Sequence, residues 1–292
     1  MSFTLNGKSI ELPKEFTDSV FLKASEESLV ARLSGQTPLT LAGATVPIYT
    51  GGISAGIVAE GANAPVGDAG VSLKYINPKK VSVVIPVSKE MASANPGDLM
   101  AHVKADLSAA IGRALDDLTL HAKDSISGAP VAGYVALTAT SNEVELVGAD
   151  YKSAILAGFD LVGAEYDVTA AGFDSRIKGK ILNVTNEVQF GLPNLTGQEV
   201  YVAGVPAQFA RTVGRVNNVD TKVRGIVGDW SKVRFGFASG IELETSDQAT
   251  ITDGSGNNIN LFQSGMIALK VTASIGSVVL DDKAFATIVD KA

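Results

Sequence analysis

The sequence predicts an α+β protein in which long extended segments surround a single long helix. Three patterns predict this class. The stretch from Ser34 to Ala59 carries no charged residue and is followed by alternating apolar residues. Apolar residues then recur every three or four positions from Pro96 to about Lys123, and apolar and polar residues alternate again over 259–276.

The N-terminal part predicts a helix and then a neutral arm. Residues 14–33 have apolar side chains at helical spacing, such as Phe21, Leu29 and Leu33. The uncharged stretch that follows is too apolar for a disordered linker and too rich in Gly and Pro for a core helix. Two interpretations stay open for it: an arm extended along another surface, or buried loops and short strands within the same subunit.

The next segment predicts a long β-hairpin. Residues 71–87 alternate, with Val81, Val83, Ile85 and Val87 on one side, and residues 61–68 have turn chemistry. We therefore expect a hairpin over 53–90 whose tip lies between residues 61 and 70. A two-stranded hairpin is marginally stable alone in water, so it needs a surface to lie on.

The clearest element is the long helix. Asn95 is a suitable N-cap, and Pro96 suits the first helical position. The run to Lys123 would be ~42 Å long at 1.5 Å per residue. Its apolar stripe consists of Leu99, Val103, Leu107, Ile111, Leu115 and Leu118.

The second half predicts helix and strand alternation followed by a closing strand. Residues 150–163 predict a helix, and Gly-rich strands follow it. The strand over 259–276 would span ~55–60 Å, with one apolar face and one wet face that holds Lys270, Thr272 and Ser274. A short helix capped by Asp281 or Asp282 is expected after it.

Composition and motifs exclude several function classes. The net charge is −7, so specific binding to the phosphate backbone of nucleic acid is not expected. The absence of cysteine excludes disulfides and thiolate metal sites. No secretory signal and no membrane-spanning stretch is visible. His102 and His121 lack ligand spacing and are interpreted as solvent-facing, and Asp116 and Asp117 as a solvated pair. No catalytic, cofactor or metal site is expected, and the protein is not expected to be an enzyme.

The charged fraction, 19%, is below the typical ~25%. A folded monomer normally carries more charge on its surface. The shortfall indicates that much of the surface meets other protein.

Three stretches carry a resemblance to a known family. They are "AGIVAEGANAP" from residue 55, "LKYINPKKVSVVIPVSKEM" from residue 73, and "LFQSGMIALKVTASIGSVVLDDKAFATI" from residue 261. Their order along the chain resembles that of the major capsid proteins of tailed bacteriophages, which have the Hong Kong ninety-seven fold. The closing strand departs from the family's pattern, because Lys270 and Ser274 stand where arginines are common.

The resemblance implies a structural function. Copies of the chain would form pentamers and hexamers of an icosahedral virion shell around double-stranded DNA, assembled in the cytoplasm of a host bacterium. A portal is an implied partner, as is a separate scaffolding or decoration protein, and no membrane is involved. Because the arm begins almost at once, a separate scaffold or none is favoured.

The resemblance also implies a division of the chain. It comprises an arm (1–52), an extended hairpin or E-loop (53–90), a peripheral domain (91–145 and 259–292) with the spine helix and long strand, and an axial α/β domain (146–258). The residues expected to contact neighbouring subunits are Pro47, Ile48, Glu60, Lys79, Lys80 and Lys270.

Two alternatives remain at this point. The first is an encapsulin, a compartment shell of the same fold that encloses enzymes. The second is a β-rich surface binding protein, against which the long capped helix and the lack of a signal peptide argue.

Overall fold

A computed structural model describes residues 10–11, 14–49, 57–58, 70–90, 96–148, 150–184, 200–252 and 256–291. The helices are α1 (Lys14–Glu27), α2 (Leu29–Leu33), α3 (Pro96–His121), α4 (Tyr151–Gly163) and α5 (Lys178–Val184). Short 3₁₀ turns lie at Leu137–Ala139, Ser175–Ile177, Arg211–Val213 and Trp230–Lys232.

The strands fall into two larger sheets and several two-stranded ones. They are β1 (Ile10–Glu11), β2 (Gly35–Gln36), β3 (Ala44–Tyr49), β4 (Val71–Ile76), β5 (Lys79–Ser88), β6 (Glu143–Glu145), β7 (Ala170–Asp174), β8 (Val200–Val202), β9 (Val205–Ala210), β10 (Arg215–Val216), β11 (Val219–Asp220), β12 (Val223–Gly228), β13 (Val233–Ser246), β14 (Thr250–Thr252), β15 (Asn258–Asn260), β16 (Met266–Val279) and β17 (Phe285–Val289).

The first sheet packs against the long helix. Its order is β1-β13-β16-β5, with β2 added beside β13. Alternate residues of β16 are buried beneath α3 and share one core with it, as the alternation in the sequence predicts. The buried residues of this contact include Leu107, Ile111, Leu115, Leu269, Val271, Ala273 and Ile275.

The helix α3 confirms the periodicity in the sequence. It is 26 residues long, and every member of the expected stripe whose burial is described, from Val103 to Leu118, is buried. The expected N-cap, Asn95, lies outside the described residues.

The expected N-terminal helix is broken at Ser28. This residue has extended backbone angles (φ −81, ψ 131), and its side chain accepts a hydrogen bond from the Ala31 amide at 3.1 Å. Ser28 therefore ends the first helix and caps the second, as serine commonly does. The continuous helix expected over 14–33 was wrong in this respect.

The hairpin has different strands from those expected. Strand β3 pairs with β4 in antiparallel register, from Ala44 opposite Ile76 to Tyr49 opposite Val71. Strand β5, expected as the returning strand, pairs with β16 along its whole length. The Asn77-Pro78 step separates β4 from β5, since proline cannot donate to a ladder. Apart from Gly70, the expected tip over 61–70 lies outside the described residues.

The start of the neutral stretch packs within its own subunit. Strand β2 pairs in parallel with β13, and Leu39 bridges to Ala238. For these residues the second interpretation, short strands and loops in the same subunit, is the right one. Pro47 and Ile48, expected in the arm, lie in β3 and so belong to the hairpin.

The closing strand is shorter than expected and has no fully wet face. Strand β16 begins at Met266 and is 14 residues long, or ~46 Å at ~3.3 Å per residue. The chain turns before it, because the Asn260 side chain accepts from the Phe262 and Gln263 amides and Gly265 has φ +62. On the expected wet face, Thr272 and Ser274 are buried. Leu39 and Ile76 cover this face near Gly276, where an added Cβ would lie 2.8 Å from each.

The C-terminal segment is a strand, where a short helix was expected. Strand β17 lies inside the second sheet, whose order is β6-β17-β12-β7-β9-β8. Phe285, Ala286, Thr287 and Ile288 are all buried, so both faces of the segment are covered, as is typical of a central strand. Helix α4 packs on this sheet through Tyr151, Ala154, Ile155 and Val162.

Two long-range pairings cross the division expected from the resemblance. Strand β13, within 146–258, belongs to the first sheet, where it is the antiparallel partner of β16. Strand β17, within 259–292, belongs to the second sheet, between β12 and β6. The chain thus passes between the two sheets more often than the expected division, with its peripheral domain in two segments, implies.

Candidate assembly surface

The hairpin formed by β3 and β4 has apolar side chains exposed to solvent. Among the described strands, these two pair only with each other. Val71, Leu73 and Tyr75 point to one face of β4 and are 56%, 68% and 55% exposed. Pro47 is opposite Leu73 and is also exposed. These four side chains are called the hairpin face below. Exposed apolar side chains grouped on one face make this hairpin the candidate for an interaction site.

The other face of the hairpin packs on the body of the subunit near its base. Ile76 is fully buried, and Val46 packs beside it in a small core with Leu39 and Ala238. Ile48 is half-buried on this side. The ammonium group of Lys74 donates to the Val279 carbonyl at 3.0 Å. One face therefore attaches the hairpin to its own subunit at its base, while the apolar side chains of the opposite face are exposed.

A cavity of about 300 Å³ lies at the base of the hairpin. Its lining includes Lys74, Asn77, Tyr134 and Ser277. The Tyr134 hydroxyl donates to the Asn77 carbonyl, which fixes the residue between β4 and β5. Burial raises the pKa of Tyr134, so the hydroxyl stays protonated as that donor.

The lysines expected at subunit contacts lie on the first sheet. The Lys79 ammonium is 6.0 Å from the centre of the Tyr134 ring, and Lys80 is exposed opposite Ser274. Lys270 lies opposite Glu244, with 2.6 Å between its Nζ and the glutamate Oε2. The hydrogen bond from Lys270 lowers the pKa of Glu244. Lys79 and Lys270 thus have close partners in their own subunit, and the charge of Lys80 also acts on Glu244. Glu60 lies outside the described residues.

Sequence reasoning missed a buried polar cluster on α3. Asp116 and Asp117 are only 1% and 4% exposed, and His121 is also buried, so the expected solvated positions were wrong. The reason is that α1, α2 and the turn at Arg211–Val213 cover this side of α3. The side chain of His102 is not among those described.

Burial disfavours the charged forms of the histidine and of both carboxyl groups in this cluster. The Nε2 atom of His121 is 3.0 Å from the Thr212 carbonyl, and burial lowers the histidine pKa. Burial raises the pKa of Asp116, and it raises that of Asp117 to about 6. A stripe of small and polar residues on α3 is the signal that could have located the cluster: Ser108, Gly112, Asp116 and Thr119 recur every three or four positions.

A second charged cluster ties the second sheet together. Arg176 contacts Asp174 and Asp220, and Arg224 contacts Asp220 and Asp290. Hydrogen bonds from both arginines hold the pKa of Asp220 well below its usual range. Each of these charged groups forms an ion pair within the cluster, so we interpret the cluster as a structural connection between strands.

In the described part of the chain, no three metal-binding side chains come together as a metal site would require. No helix there is both long enough and apolar enough to span a membrane.

The comparisons with known proteins agree with one another. The model of the phage capsid family matches residues 9–290. The probable major capsid protein gp17 of Mycobacterium phage D29 is 25% identical over 288 residues, covering 95% of this chain and 89% of that protein. The corresponding protein of Mycobacterium phage L5 is 24% identical, covering 94% and 87%. A solved structure from Gordonia phage Cozz has a TM-score of 0.71 at 28% identity, covering 91% of this chain and 87% of that one.

Proposed function

The chain belongs to the phage capsid family, and on that premise we propose that its copies close into an icosahedral shell of pentamers and hexamers around phage double-stranded DNA. The fold is of the Hong Kong ninety-seven type. The family is structural and is not a class of enzymes. The proposal for this chain rests on one observation, the exposed hairpin face.

The hairpin face needs a partner for a physical reason. A two-stranded sheet is marginal in water unless it packs against something. Here the inner face packs on the subunit, while Pro47, Val71, Leu73 and Tyr75 are exposed. Burying such side chains contributes roughly 25 cal/mol per Å² of apolar surface. A neighbouring copy in the shell would supply that burial.

The expected contact residues divide according to their surroundings. Pro47 lies on the hairpin face and Ile48 on the half-buried opposite side, so we assign Pro47 the more direct contact. Lys80 is exposed, and we assign it a contact with a neighbour, although its charge also acts on Glu244 of its own subunit. To contact a neighbouring subunit, Lys79 would have to leave the Tyr134 ring, and Lys270 would have to break its ion pair with Glu244. Glu60 is retained as a contact on sequence grounds alone.

We propose that the four expected regions keep their roles in the shell, with two adjustments to their limits. The hairpin begins at β3, so β3 is assigned to the hairpin region and no longer to the arm. Strands β13 and β17 are assigned to the sheet in which they pair. The peripheral region then has α3 and the first sheet, and the axial region has the second sheet with α4.

The net charge of −7 suits a container. A wall of the same sign as DNA does not bind its contents tightly and lets them leave. A portal would admit the DNA, a separate scaffolding or decoration protein would assist assembly, and assembly would take place in the host cytoplasm. The matching family is that of phage capsids, so neither the encapsulin nor the surface-protein alternative is taken further.

Negative-stain electron microscopy of the purified chain, with light scattering of the same fraction, tests the proposal. Closed shells, pentamers or hexamers are the expected result. A stable monomer at high concentration, unchanged by added salt or crowding agents, would contradict it.

A further inference from the structure

Helices α1 and α3 approach each other closely at Gly112. A Cβ atom on this glycine would lie 2.9 Å from the Ala24 carbonyl oxygen and 3.3 Å from the Ser28 nitrogen. Asp116 follows one helical turn later on the same face. The end of α1 and the start of α2 therefore lie directly over the Asp116 carboxylate.

The Asp116 carboxylate accepts four hydrogen bonds from two distant parts of the chain. Three come from the N-terminal helices: the Ser28 hydroxyl at 2.6 Å, the Leu29 amide at 3.1 Å and the Val30 amide at 3.0 Å. The fourth comes from the Thr212 hydroxyl at 2.8 Å. The Leu29 and Val30 amides, which have no carbonyl partner within α2 because they lie in its first turn, are thus both paired with Asp116.

Thr212 is held by α3 at a second point. Its carbonyl oxygen lies 3.0 Å from Nε2 of His121, five residues after Asp116. The 3₁₀ turn Arg211–Val213 connects strand β9 of the second sheet to β10. Through Thr212, the second sheet therefore shares the Asp116 carboxylate with the N-terminal helices.

We propose that Asp116 positions the N-terminal helices for shell assembly by holding α2 on α3 and on the turn Arg211–Val213 at the same time. The proposal rests on the proposed function. Ser28, Asp116 and Thr212 are called the junction below. Because one carboxylate serves both partners, a change at Thr212 alters the docking of α2, although Thr212 is remote from α2 in sequence.

Hydrogen exchange at the Leu29 and Val30 amides measures the docking directly. Asp116→Asn keeps the shape but replaces one acceptor oxygen with a donor, so exchange at these amides should rise about tenfold or more. Thr212→Val removes only the bond from the second sheet, and exchange should rise about fivefold. Asp106→Asn, an exposed change on the same helix, is the matched control and should leave exchange unchanged.

The role in assembly needs a measurement that a purely stabilising contact would not affect. The yield of closed shells, measured by sedimentation and microscopy, should fall for Asp116→Asn and Thr212→Val at a temperature where circular dichroism shows both to be folded. Thr212→Ser retains the hydroxyl and should restore both the exchange rate and the yield. If Asp116→Asn does not fold, the Thr212→Val and Thr212→Ser pair carries the test.

The outcomes separate this inference from the proposed function. Unchanged exchange at Leu29 and Val30 in both variants would overturn the inference, and so would raised exchange with normal shell yield. If the unaltered chain forms no shells under any condition, the proposed function fails, and the assembly role of Asp116 fails with it. The exchange measurement would then still report whether the junction docks α2.

Discussion

Trp230 and Phe285 meet edge to face, with ring centroids 5.7 Å apart and ring planes at 83°. Both side chains are fully buried, and the indole Nε1 donates to the Ala170 carbonyl at 3.1 Å. The contact joins the turn that follows β12 to the first residue of β17. It therefore fixes the C-terminal strand in the second sheet.

Removing the Phe285 ring should destabilise the subunit strongly. Phe285→Ala leaves a cavity beside Trp230, and truncations of buried phenylalanine typically cost ~3–5 kcal/mol of unfolding free energy. Trp230 is the only tryptophan in the chain, so its fluorescence reports unfolding in urea without interference. Phe262→Ala, at an exposed ring, is the control and should change little. A loss below ~1 kcal/mol for Phe285→Ala would contradict the placement of β17.

Adding a methyl group at Gly112 should weaken the contact between α1 and α3. A Cβ at this position would lie 2.9 Å from the Ala24 carbonyl oxygen, closer than such contacts normally come, so the helices must separate. Overpacking of this kind costs ~1–3 kcal/mol, which exceeds alanine's gain in helix propensity. Thermal unfolding measures the loss. Gly179→Ala in α5, where a Cβ meets nothing within 4 Å, should be neutral or stabilising.

Asp117 should make stability fall as the pH rises through 6. Burial, with the neighbouring Asp116 charge as a smaller cause, raises its pKa from 3.8 to about 6 in the folded state. Between about pH 4 and pH 6 the folded protein holds this proton while the unfolded chain has released it, so stability falls over this range and the loss is complete above pH 6. Asp117→Asn removes the charge.

The variant should have a higher melting temperature than the unaltered protein at pH 8, and the difference should shrink between pH 6 and pH 4. His121 has a lowered pKa and acts in the opposite sense, losing stability as the pH falls, but it is present in both proteins and cancels in the comparison. A melting-temperature difference that stays constant from pH 4 to pH 8 would show that Asp117 titrates normally.

The long elements could be predicted because each has a continuous apolar face, and these two faces pack on each other. Val103, Leu107 and Ile111 recur at helical spacing since α3 lies on a single sheet, and Leu269, Val271 and Ala273 alternate for the same reason. Of the two hairpin strands, only β4 was predicted within the hairpin, because β3 was assigned to the arm. Which strands pair could not be predicted, because the alternation of Val81, Val83 and Ile85 fits any partner, and only the fold shows that the partner is β16.

The stripe of Ser108, Gly112, Asp116 and Thr119 marks the face of α3 on which Asp116 lies, but the partners of the buried charges could not be predicted from local pattern. Asp116 obtains its donors from Ser28, Leu29, Val30 and Thr212, and nothing near Asp116 in the sequence announces them. The C-terminal strand was predicted as a helix for a similar reason. Phe285 to Val289 is too short for periodicity to distinguish a strand from a helix, so local sequence does not decide between them. In both places the deciding contacts are long-range.

The central claim is that the exposed hairpin face joins one copy to the next, and one substitution tests it most directly. Leu73→Glu places a charge in the middle of that face, where it cannot be buried without a large cost. Leu73 is exposed in the subunit, so the melting temperature should not change. Val147→Glu, an equally exposed valine before α4, is the matched control.

The measurement is the fraction of protein in closed shells, determined by sedimentation and negative-stain microscopy of the three proteins at one concentration. We expect shells from the unaltered protein and from Val147→Glu, and only small oligomers or subunits from Leu73→Glu. Shells from Leu73→Glu in the same yield as from the unaltered protein would contradict the assignment of this face.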